Sequence, residues 1–163
     1  MRPAVPAMRG LVAVLAITLV LASPALAVGP RLDRGEAAVL HALNRVRARY
    51  GLPRLRADRR LDRAADAHTH QMLSGGYFAH GAFASRVHRY VHAQAVAETL
   101  ALVSRGTCRH RHVARVVGLW LNSAPHRAIV LSGAYRRVGV GRRRGRLGGA
   151  AACVVTADFA SAR

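Results

Sequence analysis

His80, Glu98 and His126 are the three side chains of this 163-residue chain whose types and settings could do chemistry together. Each stands at the edge of an apolar or turn-forming stretch. His80 closes Gly76-Tyr77-Phe78-Ala79-His80, Glu98 lies in Ala97-Glu98-Thr99-Leu100, and His126 lies in Trp120-Leu121-Asn122-Ser123-Ala124-Pro125-His126-Arg127. Side chains placed in this way on separate elements can converge in a cleft. Two imidazoles and one carboxylate form a set suited to zinc with a position left open for water, so His80, His126 and Glu98 are candidate metal ligands. The same trio also suits a hydrogen-bonded scaffold in which Glu98 orients both rings. Asn122 and Ser123 adjoin His126 and join the candidate ligand-binding set. Ser123 as a nucleophile served by His126 would need an orienting acid, and Glu98 is the sole candidate. Ser before an early-helix Pro reads better as a cap.

The other polar clusters point to solvated or structural roles. His88 and His92 stand four apart, which on one helix face can chelate a metal. His68-x-His70 and His110-x-His112 point their rings apart, and His68 reads as a core-edge residue bonded locally. Arg142, Arg143, Arg144 and Arg146 suit a solvated hairpin tip. Trp120, Tyr77 and Phe78 suit the core or a cleft wall.

These residues need elements to hold them. Residues 1–27 read as a signal peptide: Arg2 and Arg9 precede the apolar run Leu11 to Ala22, too short to span a bilayer, and Ala25-Leu26-Ala27 is a small-x-small cleavage site. Residues 28–163 are then one domain, with no second apolar run of membrane-spanning length. Cys108 and Cys153, an even pair in an exported chain, are expected to bridge. All 26 basic residues are Arg, against 7 acidic ones, giving a net charge of +19. Absence of Lys beside abundant Ala, Gly and Val is what GC-rich coding produces, so the charge by itself does not name a ligand. It will still attract anionic cell-envelope components. Sparse aromatics and the lack of a zinc-finger or stacking signature exclude a specific nucleic-acid role.

Val39, Leu40, Leu43 and Val46 predict a helix over 36–50 with Arg45, Arg47 and Arg49 facing water, stopped by Gly51 and Pro53. Asp58 as N-cap and Leu61, Ala64, Ala65, His68 and Met72 predict a second helix ending at Gly75-Gly76. A short helix over 83–92, a strand over 96–103, a helix over 112–121 and a closing hairpin of 138–141 with 152–159 follow. Helices lead and strands close the chain, which favours an α+β layered domain.

Seven segments in this order resemble the CAP superfamily, the cysteine-rich secretory, antigen 5 and pathogenesis-related-1 (SCP-like) proteins, in its short bacterial form. They are Leu43-Asn44-x-x-Arg47; Gly51-Leu52-Pro53-x-Leu55; Leu61 with Ala64-Ala65-x-x-His68; Tyr77-Phe78-Ala79-His80; Ala97-Glu98-Thr99-Leu100; Trp120 to Arg127 with Leu131; and Tyr135 to Gly141. The resemblance covers 36–159 and implies a three-layer α-β-α sandwich with a central antiparallel sheet. It also implies a cleft of two histidines and two acids that in some members holds zinc. His80, Glu98 and His126 carry over. The second acid does not: of the seven carboxylates none lies between Glu98 and Asp158, and Gly118 and Ser123 stand at the candidate positions. A lone acid that ligates or orients cannot also serve as base. The expectation is therefore a secreted, monomeric binding module whose cleft takes a small ligand, lipids being ligands of other CAP proteins, or a divalent metal such as zinc. The rival expectations are a metal-dependent hydrolase and a basic structural protein of the cell envelope.

Overall fold

The computed structural model describes Met1 and residues 32–162; the signal-peptide expectation for 1–27 lies outside them. Helix α1 (Arg34–Arg49) starts at Asp33, whose carboxylate accepts from the Gly35 and Glu36 amides while Glu36 reaches back to the Asp33 amide. This reciprocal cap satisfies donors that the first turn leaves free. Strand β1 (Arg56–Ala57) follows, then α2 (Arg59–Gly75), capped by Asp58 and closed by Gly76 at φ 67°. Glycine alone adopts that left-handed turn without strain. Helix α3 (Phe83–His88) leads to β2 (Val96–Ser104). A 3-10 turn (Val113–Arg115) runs into α4 (Val116–Asn122) and α5 (Ala124–Val130), and β3 (Tyr135–Leu147) and β4 (Ala150–Ser161) close the chain.

The four strands form one mixed sheet in the order β1-β3-β4-β2. β3 and β4 run antiparallel, as do β4 and β2, so the body of the sheet is antiparallel as expected. The two-residue β1 adds a parallel edge to β3. Side-chain alternation splits the strands between two helical layers. Val138, Val140, Cys153, Val155, Ala157 and Phe159 face a core shared with α1 and α4. The opposite face meets α2 and α3. There Gly139 and Gly141 admit the α2 backbone so closely that a Cβ at either would collide with the Leu61–Asp62 and Ala65–Asp66 peptides. Glu98, Thr156 and Asp158 share this second face by parity, and Thr69 of α2 bonds Thr156 at 2.8 Å.

Several local expectations are corrected. The closing hairpin is longer than 138–159, because the basic segment continues both strands as far as a Gly148-Gly149 turn with two positive φ values. Arg142 and Arg143 do not lie free at its tip: they pair with Asp33 at 2.5 Å and Asp66 at 2.6 Å. Arg47 is fully buried rather than facing water. Its guanidinium donates to the carbonyls of Pro53 (2.9 Å), Val130 (2.9 Å), Ser132 (2.8 Å) and Tyr135 (3.2 Å). Four carbonyls around one planar donor fork satisfy the C-terminal end of α5 and tie it to α1 and β3. Helical periodicity could not reveal this, since Arg47 follows the rule for long-range bonding and not the rule for amphipathicity. Cys108 and Cys153 are bridged, with Cα atoms 5.6 Å apart, joining the turn before α4 to β4.

Candidate functional site

Glu98 is the hub. It sits on β2, the sheet's edge strand, with its side chain wholly buried. His80 Nδ1–H donates to its Oε1 at 2.8 Å, and Arg86 of α3 donates from Nη2 to its Oε2. Arg86 also donates from Nη1 to the His80 carbonyl at 3.1 Å. His68, one turn of α2 beyond the glycine contacts, donates from Nε2 to the Ala79 carbonyl at 3.1 Å and lies 3.7 Å from Glu98 Oε2. The loop bearing His80 is thereby pinned from two helices. With Nδ1–H on the carboxylate, Nε2 is the ring nitrogen left to face a ligand. The His80 side chain is 43% exposed, so the ring is accessible from solvent.

His126 comes from the other helical layer. Ala124-Pro125 starts α5 with Pro at its first turn, as the sequence predicts, and Arg47 holds the far end. The side chain of Ser123, however, makes no capping bond. The His126 ring centroid lies 5.9 Å from that of His80, at 60° between planes. Burial first, and then the neighbouring His80, lower the His126 pKa, which keeps the ring neutral and able to accept. Trp120 sits behind, its indole N–H donating to the Leu100 carbonyl of the edge strand at 2.9 Å and locking α4 onto β2. His80, Glu98 and His126 thus come together. Ser123 is half-buried beside α5 and Asn122 is exposed, and neither bonds to either imidazole among the described residues.

Gly118, one of the positions where the resemblance implies a second acid, is exposed on α4. A second carboxyl comes instead from β4: Asp158 is the ladder partner of Glu98, is fully buried, and neither of its oxygens meets a donor among the described residues. Burial, then the Glu98 charge, push its carboxyl well above the usual aspartate range. Two neighbouring buried carboxyls disfavour each other's ionisation, so the pair favours the neutral form of Asp158. Arg86 and Asp158 are neighbours of Glu98 that the sequence concealed, and His68, read there as a locally bonded core-edge residue, reaches the same carboxylate. Asp158 left one signal, a lone carboxylate in the apolar run Cys153-Val154-Val155-Thr156-Ala157-Asp158-Phe159.

The donor set bears on metal. Both Glu98 oxygens are engaged, and among the described residues no group of three or more His, Cys, Asp or Glu is arranged to hold a metal ion. The imidazoles of His80 and His126 are the groups that would hold a metal here; a zinc bound there would supply a Lewis acid with most of its shell left to ligand or water. His88 and His92 do not share a helix, because α3 ends at His88. The His80–Glu98 dyad resembles two members of a hydrolytic triad, yet no hydroxyl or thiol is hydrogen-bonded to His80 or His126 among the described residues.

A sheet between helical layers, with two histidines over a buried carboxylate at its edge, defines the class. The Cysteine-rich secretory protein family, CAP, matches residues 40–159, and the chain belongs to that family. Solved structures share the fold. An outer surface protein of Borrelia burgdorferi superimposes with a TM-score of 0.65 at 18% identity over 80% of this chain and 95% of its own. An extracellular SCP-domain protein of Bacillus anthracis gives 0.61 at 24% identity over 82% of this chain, which spans 45% of that longer protein. Venom allergen-like protein 4 of Schistosoma mansoni gives 0.59 at 11% identity, over 80% and 90% of the two chains. No curated protein matches in sequence. Among the described residues no helix is long and apolar enough to cross a membrane.

Proposed function

We propose that this chain is an exported, extracellular CAP domain acting as a monomeric binding module, in which His80 and His126 receive a small ligand or a divalent cation and no Glu98-driven hydrolysis occurs. The observation that carries this reading is the burial of Glu98 with a partner on each of its oxygens. A wholly buried carboxylate whose two oxygens are held by His80 and Arg86 is placed to orient an imidazole and is closed off from a reacting proton in the cleft. Export is supported by the N-terminal pattern of residues 1–27 and by the disulfide, which persists in oxidising compartments. A lipid as the small ligand rests on the family resemblance, with the exposed Tyr77 and Phe78 beside His80 as its apolar support.

The rival is a hydrolase built on the His80–Glu98 dyad. Purified wild type and Glu98→Gln are compared on peptide and ester substrates, with and without added zinc. The expected result is no turnover above the Glu98→Gln level; robust turnover abolished by that substitution would make the chain an enzyme.

A further inference from the structure

A wide concavity lies away from the two histidines. A groove of about 1530 Å³ runs between β1, the start of α2 and the start of β3, and seven arginines line it. Arg56, Arg59, Arg60 and Arg63 are exposed and have no acidic partner among the described residues. Arg136 contributes from β3, bonded among the described residues to the carbonyls of Gly133 and Tyr135. The two acids in the lining do little to offset them. Asp58 is neutralised by Arg137 at 2.8 Å and caps α2. Asp62 accepts from the Val140 amide at 3.1 Å, and burial first of all, with Glu36 and Asp58 nearby, raises its pKa to about 7, so near neutrality it carries only part of a charge.

Arginine richness throughout the chain does not by itself make a site, but concentration in one concavity with almost no counter-charge does create a focused positive field. A guanidinium offers two parallel donors to the two terminal oxygens of a phosphodiester or carboxylate. The volume exceeds that of a single small anion and suits a segment of chain. No aromatic side chain lines the groove, so bases would find nothing to stack on. The exposed large apolar residues, Tyr77, Phe78, Leu102 and Leu119 among them, lie outside the lining, so the surface is not built to enter a bilayer.

We infer that this groove binds a linear polymer of closely spaced oxyanions without bases, independently of the His80–His126 site. The probes are short-chain polyphosphate and polygalacturonate, titrated against the intact protein by calorimetry over a range of salt. Polyphosphate binding the tighter identifies a phosphate polymer, and polygalacturonate binding the tighter a carboxylate polymer; either supports the inference. Arg59→Gln/Arg60→Gln/Arg63→Gln is expected to weaken binding by about tenfold or more and to flatten the salt dependence, because three ion contacts are lost. Arg56→Gln/Arg136→Gln should act in the same direction. Arg109→Gln/Arg111→Gln/Arg115→Gln removes the same charge from the turn before α4 and should change affinity by less than about twofold, as screening limits distant charges. Circular dichroism checks that each variant is folded. Equal losses in the groove and control triples would reduce the effect to overall charge and overturn the site; so would single-stranded DNA of matched charge binding more tightly than either polymer.

Discussion

Removing Arg86 should cost more than removing the charge it faces, and the difference reports the buried carboxyl pair. Arg86 is 7% exposed and donates both to Glu98 and to the His80 carbonyl. Arg86→Met leaves Glu98 ionised, buried and opposite Asp158, with only His80 and His68 near it. Breaking one side of such a pair costs about 3–5 kcal/mol. Glu98→Gln strands Arg86 but relieves Asp158 of its charged neighbour, so it should fall at the lower end of that range or below. The double variant Arg86→Met/Glu98→Gln strands no charge, and should be less destabilised than the sum of the singles by up to about 3 kcal/mol. For a domain of this size, about 3–5 °C of melting temperature accompanies each kcal/mol, so the differences are measurable. Urea unfolding of the four proteins gives the cycle. Additive losses, or a Glu98→Gln variant less stable than Arg86→Met, would refute the hub.

Asp158→Asn should gain stability relative to wild type as pH rises from about 4 towards neutrality. A folded-state pKa above the unfolded value of about 3.9 means that the native acid opposes folding increasingly above that pH; a difference that is constant with pH, seen in parallel thermal melts, would contradict it. Cys108→Ser/Cys153→Ser should cost about 4 kcal/mol for a 45-residue separation, read from denaturant midpoints. Gly139→Ala should destabilise by about 3 kcal/mol or more, since the new methyl meets α2 backbone and no flexible side chain, and it should also displace His68 in NMR spectra.

Much of the fold could be read from the chain because its signals are local. Asp33, Asp58, Gly76 and the stripe Leu61-Ala64-Ala65-His68-Met72 each act within a turn or two of their own positions. The meeting of His80, Glu98 and His126 was legible only through the resemblance, because no spacing rule brings a loop, an edge strand and a short helix together. What escaped depends on contacts distant in sequence. Arg47 bonds residues more than 80 positions away, Asp158 meets Glu98 through sheet register, and Arg86 was one arginine among many. The Gly and Arg content of 142–149 suits a solvated hairpin tip, yet pairing with β4 and ion pairs to Asp33 and Asp66 hold most of it as strand.

The central claim is that His80 and His126 form one binding unit with Glu98 as its anchor. Long-range proton–nitrogen NMR of all imidazoles during a zinc titration at neutral pH tests it most directly. The account predicts His80 with its proton on Nδ1 before any metal is added, and saturable shifts of His80 Nε2 and a His126 nitrogen that move together and are lost in His126→Ala. If His80 carried its proton on Nε2, or both rings stayed unmoved while exposed histidines such as His88 and His92 responded, the binding-module account would be contradicted.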